Sequence, residues 1–311
     1  MTSTPAPTSV QRLTWLLLVA AVAAAAWLLV HAARVRPGYH EVDLLAAVPA
    51  GPDLLFTADV AALGRDAAEE LLQAGGGALL GLRELCGFEP LLGLRRVVLA
   101  MPRGVAGEAS DFALIAETSL DAESVLRCAE AVVRKRGGTP VRSSLGAFTS
   151  VRDQNKPLGE IAMRPDGLFV LSGGKYFREV IDSASGVRHE DESERLRSRV
   201  HLAVRNQLGP SQLAITLLVG PRLPLPGVQA LGLALNVRRE VLLRGYVVCP
   251  SASGCSEAAN LIGNLRDDAV RDSGIAGLAN VTVTQHEQRL DIKGQLGRAE
   301  LAPLLKQLLV P

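Results

Sequence analysis

The chain is poor in aromatic residues, at 4% Phe, Trp and Tyr, which leaves no ladder of rings for stacking single-stranded nucleic acid. It also lacks a dominant charge. A net charge of +1 gives no broad field to draw in nucleic acid or acidic partners. Histidine is scarce: His31, His40, His189, His201 and His286 are scattered, and no two share a metal-ligand spacing. No CxxC occurs, so neither a zinc knuckle nor a thioredoxin-like redox pair is encoded. GxSxG and HExxH are missing too, which removes the hydrolase elbow and the zinc-protease helix. Gly173–Gly174–Lys175 is followed by Tyr176 where a phosphate-binding loop needs Ser or Thr, and reads as a strand-to-helix turn. No catalytic residue, cofactor site or metal site is therefore assigned from the sequence.

What the chain does have is one long apolar run. Leu13–Ala33 (LTWLLLVAAVAAAAWLLVHAA) contains six leucines, three valines and no Asp, Glu, Lys or Arg. At about 1.5 Å per residue, roughly 20 such residues cross a hydrocarbon core of about 30 Å. The two tryptophans, Trp15 and Trp27, both lie in this run near its ends, where amphipathic rings sit at headgroup level. The run predicts a transmembrane helix. A signal peptide cut after Ala32 is the alternative, although the run exceeds the usual 7–15-residue apolar core of such peptides. Arg12 precedes the run and Arg34 and Arg36 follow it, so local charge is nearly balanced. Long domains translocate largely regardless of charge. The expectation is therefore a cytoplasmic tail at residues 1–12 and everything after the helix outside, on a bacterial inner membrane crossed once, with a periplasmic C-terminal domain. A cytosol-facing domain is the opposite reading.

The four cysteines are Cys86, Cys128, Cys249 and Cys255. In an oxidising compartment their even number fits two disulfides. Cys249 and Cys255 flank a short loop that can bring their Cα atoms within about 7 Å, which leaves Cys86 with Cys128. Four buried free thiols are the other reading.

Periodicity gives an α+β plan in two parts, residues 41–186 and 210–311, joined by a linker helix at 187–209. In the first part, strands are expected at Asp53–Asp59, Arg96–Met101, Asp111–Thr118, Ala147–Val151, Gly159–Arg164 and Leu168–Ser172. Helices are expected at Val60–Ala74, Leu79–Leu85, Ala122–Arg136 and Lys175–Ala184. Ser119 or Asp121 caps the third of these, and Gly137–Gly138 ends it. The mixed charge run Arg188–Arg199 reads as the start of a solvated linker helix with an apolar edge at Leu196, Val200, Ala203, Val204 and Leu208. In the second part, strands are expected at Gln212–Val219, Ala230–Val237, Val241–Val248, Val281–His286 and Arg289–Gln295. Pro221–Pro226 reads as a rigid connector, and helices are expected at Ser256–Ala269 and Arg298–Leu309. Pro303 should kink the last helix or delay its start. The two parts share an order of elements, so the sequence predicts two pseudo-repeated units, each an antiparallel sheet with helices on one face, although the strands alternate only partly, which is the pattern of a sheet half covered on both faces. Carboxylate pairs such as Glu69–Glu70, Asp66–Glu70 and Asp267–Asp268 fall on helix surfaces. Asp59, at the end of the first strand, reads as a helix N-cap.

The run VPAGPDLLFTADVAAL (Val48–Leu63), together with CGFEPL (Cys86–Leu91) and RRVVLAM, resembles membrane-anchored bacterial envelope proteins of uncharacterised function. These have an N-terminal helix and duplicated α+β units. The resemblance covers most of Val48–Ala184 and rests on apolar, structural motifs. It implies an extracytoplasmic domain and supplies no catalytic residue. The functional expectation is a tethered, non-enzymatic module that binds a protein or envelope partner or serves a structural role. The alternatives are a released periplasmic or secreted form, and an enzyme whose residues converge only in three dimensions.

Overall fold

The computed structural model describes residues 43–49, 51–63, 84–88, 93–101, 111–155, 159–173, 176–187, 192–219, 225–273 and 275–300. Outside these lie the apolar run Leu13–Ala33, the tail before it, most of the expected helices at Val60–Ala74 and Arg298–Leu309, and most of the Pro221–Pro226 connector.

A single antiparallel sheet of twelve strands runs through the described chain. Its first side holds β1 (Leu54–Asp59), β2 (Leu94–Met101), β3 (Ala113–Thr118), β4 (Pro140–Leu145), β5 (Phe148–Asp153), β6 (Glu160–Met163) and β7 (Leu168–Ser172). Its second side holds β8 (Leu213–Leu218), β9 (Ala230–Val237), β10 (Glu240–Val248), β11 (Thr282–His286) and β12 (Arg289–Gly297). The strand order is β11-β12-β10-β9-β8-β1-β2-β3-β7-β6-β5-β4. The two sides meet at the β1–β8 seam, where Phe56 faces Ile215. On each side of that seam three strands meander outward and a helix follows. The chain then returns so that its last strand lies beside the third. The first side carries one further hairpin, β4–β5, at its outer edge.

Strand alternation sorts the core into two layers. Leu54, Phe56 and Ala58 join one cluster, whereas Leu55 between them joins another on the opposite face. Helices cover both faces. On the face of Phe56 lie α2 (Ala122–Lys135), whose Leu126 and Ala129 meet Val151 and Met163, and α5 (Ala252–Ser273), whose Ala258 meets Val247 and Leu290. The short α1 (Val60–Leu63) also adds Val60 and Leu63 to this layer. On the face of Leu55 lie α3 (Tyr176–Ala184) and α4 (Glu192–Leu208). The expectation of helices on one face is thereby corrected. A central sheet whose odd and even positions are both apolar must be covered on both sides.

Local signals explain several boundaries. Asp121 accepts a hydrogen bond from the Ser124 amide (2.8 Å) and caps α2. Gly137, at φ +78°, turns the chain out of that helix, and the Gly138 amide closes onto the Val133 carbonyl (3.0 Å). Asp59 caps α1 through the Ala62 amide (2.9 Å). The strand β4 (PVRSSL) is polar, opens on proline and escapes a hydrophobicity reading. It stands at the sheet edge, the place where a strand tolerates proline. The helix α5 begins at Ala252, four residues before the expected start.

Both expected disulfides are present. Cys86–Cys128 ties α2 to the preceding segment (Cα–Cα 4.7 Å), and Cys249–Cys255 staples the end of β10 to the first turn of α5 (Cα–Cα 5.4 Å).

Candidate functional site: a groove beside the seam helix

The helix α4 is the charge run read as a solvated linker, and it is not solvated all round. Val200, Val204 and Leu208 form its apolar stripe and pack over Ala214, Ala230 and Ala234 of the second side. Gly232 on β9 makes room for it, because a Cβ there would run into Val204 and Leu208. Leu196 and Ala203, expected on the buried edge, face outward instead.

A second stripe on α4 is polar and also turns inward. Arg197, His201 and Arg205 recur every four residues, which places them on one side of a helix. Each reaches across the seam into the first side. Arg197 pairs with Asp53 and donates to the Gly51 carbonyl (3.2 Å). His201, only 3% exposed, contacts the Thr216 hydroxyl through Nδ1 and the Pro52 carbonyl through Nε2, both at 2.7 Å. A carbonyl can only accept, so Nε2 carries the proton and Nδ1 accepts from Thr216. Burial, with lesser contributions from the Arg197 and Arg205 charges, outweighs the bond to Pro52 and pushes the imidazole pKa down to about 4. The ring is therefore neutral at ordinary pH. Arg205 donates to the Thr57 hydroxyl (2.9 Å), and its burial depresses the guanidinium pKa.

Between α4 and the 3-10 turn Leu45–Ala47 the sheet is left partly open. The hollow there measures about 380 Å³. Leu45, Val48, Pro52, Leu55 and Leu202 give it apolar walls, and His201, Arg199 and Arg205 give it polar ones. Among the described residues no carboxylate lines it. At the rim, Leu45 is 38% and Leu202 56% exposed, more than large apolar side chains usually show.

Several other charged groups have local partners. Buried Glu117 accepts from Arg96 (2.8 Å) and Arg95 (3.3 Å). Arg142 joins Glu123 (2.8 Å) and Glu130 on the surface of α2, and those hydrogen bonds hold both carboxyls below their usual range. Glu300 accepts from the Gly277 (2.8 Å) and Gly297 (2.7 Å) amides. Asp267 and Asp268 pair with neighbouring arginines, consistent with solvated helix surfaces. His286 lies at a hairpin, 3.5 Å from Asp291. His31, His40 and His189, the Gly173–Lys175 turn beyond Gly173, and Asp66, Glu69 and Glu70 lie outside the described residues. Among the described residues, no three His, Cys, Asp or Glu side chains gather as a metal site would require. Likewise no helix among them is long and apolar enough to cross a membrane.

The groove was missed in the sequence, although the four-residue spacing of Arg197, His201 and Arg205 was a usable signal. A polar stripe beside an apolar one reads as solvent-facing unless its tertiary partners are known.

No family model and no curated protein matches the chain. A solved structure described as crystal form I of TP0453 is similar in fold, with a TM-score of 0.50 and 16% identity. The match covers 86% of this chain and 98% of that one, so it spans both sides of the seam. At that identity the likeness concerns the fold alone.

Proposed function

We propose that the chain is a single-pass, membrane-anchored module held outside the bacterial inner membrane by Leu13–Ala33. In this reading it is a non-enzymatic binder of a protein or envelope partner, assembled from two pseudo-repeated α+β units. The observation that carries the reading is the uncharged 21-residue run that contains both of the chain's tryptophans. Two disulfides support it, because such bonds persist in oxidising compartments. The shared meander–helix–return order on either side of the β1–β8 seam supports a duplicated ancestry. The resemblance of Val48–Leu63 to membrane-anchored envelope proteins belongs to the same proposal.

Fractionation tests it. The full chain is expected in membranes after alkaline carbonate washing, with its first residues intact. It should be cut by protease added to spheroplasts, and its thiols should resist labelling until reductant is added. A mature chain beginning at Ala33 would show the released form instead. Recovery in the soluble fraction with the leading segment intact, or protection from external protease, would overturn the proposal.

A further inference from the structure

The groove beside α4 holds a cation that has no acidic partner among the described residues. Arg205 is half-buried, yet the hydroxyl of Thr57 is its one hydrogen-bond partner among the described residues. Its neighbour on the same stripe, Arg197, has Asp53; Arg95 and Arg96 share Glu117; Arg142 has two glutamates. Withdrawing a guanidinium from water without a counter-charge is costly, and five donors in a planar fork suit a carboxylate or phosphate. Arg199 stands on the same hollow and adds a second positive charge. His201 adds none, since its two nitrogens are committed to Thr216 and Pro52. The remaining wall is apolar and includes two half-exposed leucines. A volume of about 380 Å³ holds roughly a dozen water-sized groups at ~30 Å³ each, within the range of small-molecule sites.

We propose that this groove binds a small amphiphile with one anionic head group, the head meeting Arg205 and Arg199 and the apolar tail lying between Leu45, Val48, Leu55 and Leu202. Charge complementarity selects the occupant. A neutral apolar ligand would leave Arg205 bare, and a purely ionic one would leave the leucines wet. The site does not depend on the membrane anchor. If the anchor holds, Asp43 follows Ala33 by ten residues, which keeps the groove within about 35 Å of the bilayer, at ~3.5 Å per extended residue.

The test uses the full chain in nanodiscs of uncharged phosphatidylcholine and a diazirine-bearing decanoic acid, with adducts mapped by mass spectrometry. Saturable adducts are expected around Leu45–Val48 and Leu202, displaced by unlabelled decanoate. The matching alcohol probe should bind roughly tenfold more weakly or worse. Arg205→Met should weaken the acid to the same degree and leave the alcohol unchanged. Leu202→Glu, at a position more than half exposed and therefore neutral to folding, should abolish labelling by both. Several results would overturn the site: adducts elsewhere, unsaturable labelling spread over disc-facing residues, or an Arg205→Met chain that binds the acid like wild type. Displacement by an acidic peptide but not by decanoate would assign the groove to a protein partner and also overturn it. None of these readouts depends on which side of a membrane the domain occupies, so failure here and failure of the anchored reading are separable.

Discussion

Two helices of similar length are fixed to the same sheet by opposite means. The helix α2 lies on the outer part of the first side. It touches the sheet through Leu126 and Ala129, is tied covalently through Cys128, and keeps its charges at the surface, where Glu123 and Glu130 meet Arg142. The helix α4 lies beside the central seam. It buries His201 and much of Arg205 and sends three polar side chains across to the first side. An exposed ion pair adds little to stability, whereas a buried polar group is expensive once its partner is lost. The charges of α2 are therefore decoration on an apolar contact, whereas the polar stripe of α4 is part of what positions it.

Four perturbations separate these arrangements, beginning with the largest. Replacing Cys86 and Cys128 by Ser opens a closure spanning 42 residues and should cost about 4 kcal/mol on the chain-entropy argument, read as a shift in the denaturant midpoint. Hydrogen exchange should rise at α2 and stay unchanged at α4; equal loosening of both would erase the contrast.

His201→Ala comes next. It strands the Pro52 carbonyl, leaves the Thr216 hydroxyl only its longer bond to the Leu55 carbonyl (3.4 Å) and opens a cavity, for a loss of about 3 kcal/mol, with faster exchange in α4 and β8 and none in α2. A loss below about 1 kcal/mol would mean that the polar stripe is incidental.

Acid probes the same residue without mutation. The His201 pKa is about 4 when folded and near 6.5 when unfolded, so the unfolded chain binds the extra proton first. This contribution is complete above pH 6.5 and lost as pH falls toward 4. It amounts to about 2 kcal/mol by pH 5. The wild type should lose this stability between those limits, and His201→Ala should show a flatter profile over the same window.

Arg142→Met should matter least. It breaks surface pairs and should cost less than about 1 kcal/mol, shrinking further as salt is added. A larger, salt-insensitive loss would show that α2 depends on its charges after all.

The same contrast sets how far the sequence could be read. The helix α2 was legible because every signal is local: an Asp cap, an apolar stripe, a double glycine stop. The hairpins β9–β10 and β11–β12 were legible for the same reason, each folded about a short polar turn. The edge strand β4 was not, because its partner β5 and its place at the margin of the sheet, rather than its own residues, make it a strand. The groove was least legible of all. Leu45, Leu55, Leu202 and Arg205 come from a turn, a central strand and a helix far along the chain, and no single stretch records that they meet.

The sequence by itself determined the apolar run, the α+β character, the pairing of the four cysteines and most strand and helix cores, since period, caps and turn residues act within a few positions. Only the tertiary structure decided that both parts join one sheet, that helices cover both faces, and that a run of charges becomes a buried clamp. Each of those outcomes depends on which backbone groups and apolar faces meet across 150 residues of chain, as when His201 finds the carbonyl of Pro52. Such meetings are set by the competition to satisfy every buried polar group at once, and that competition has no local signature.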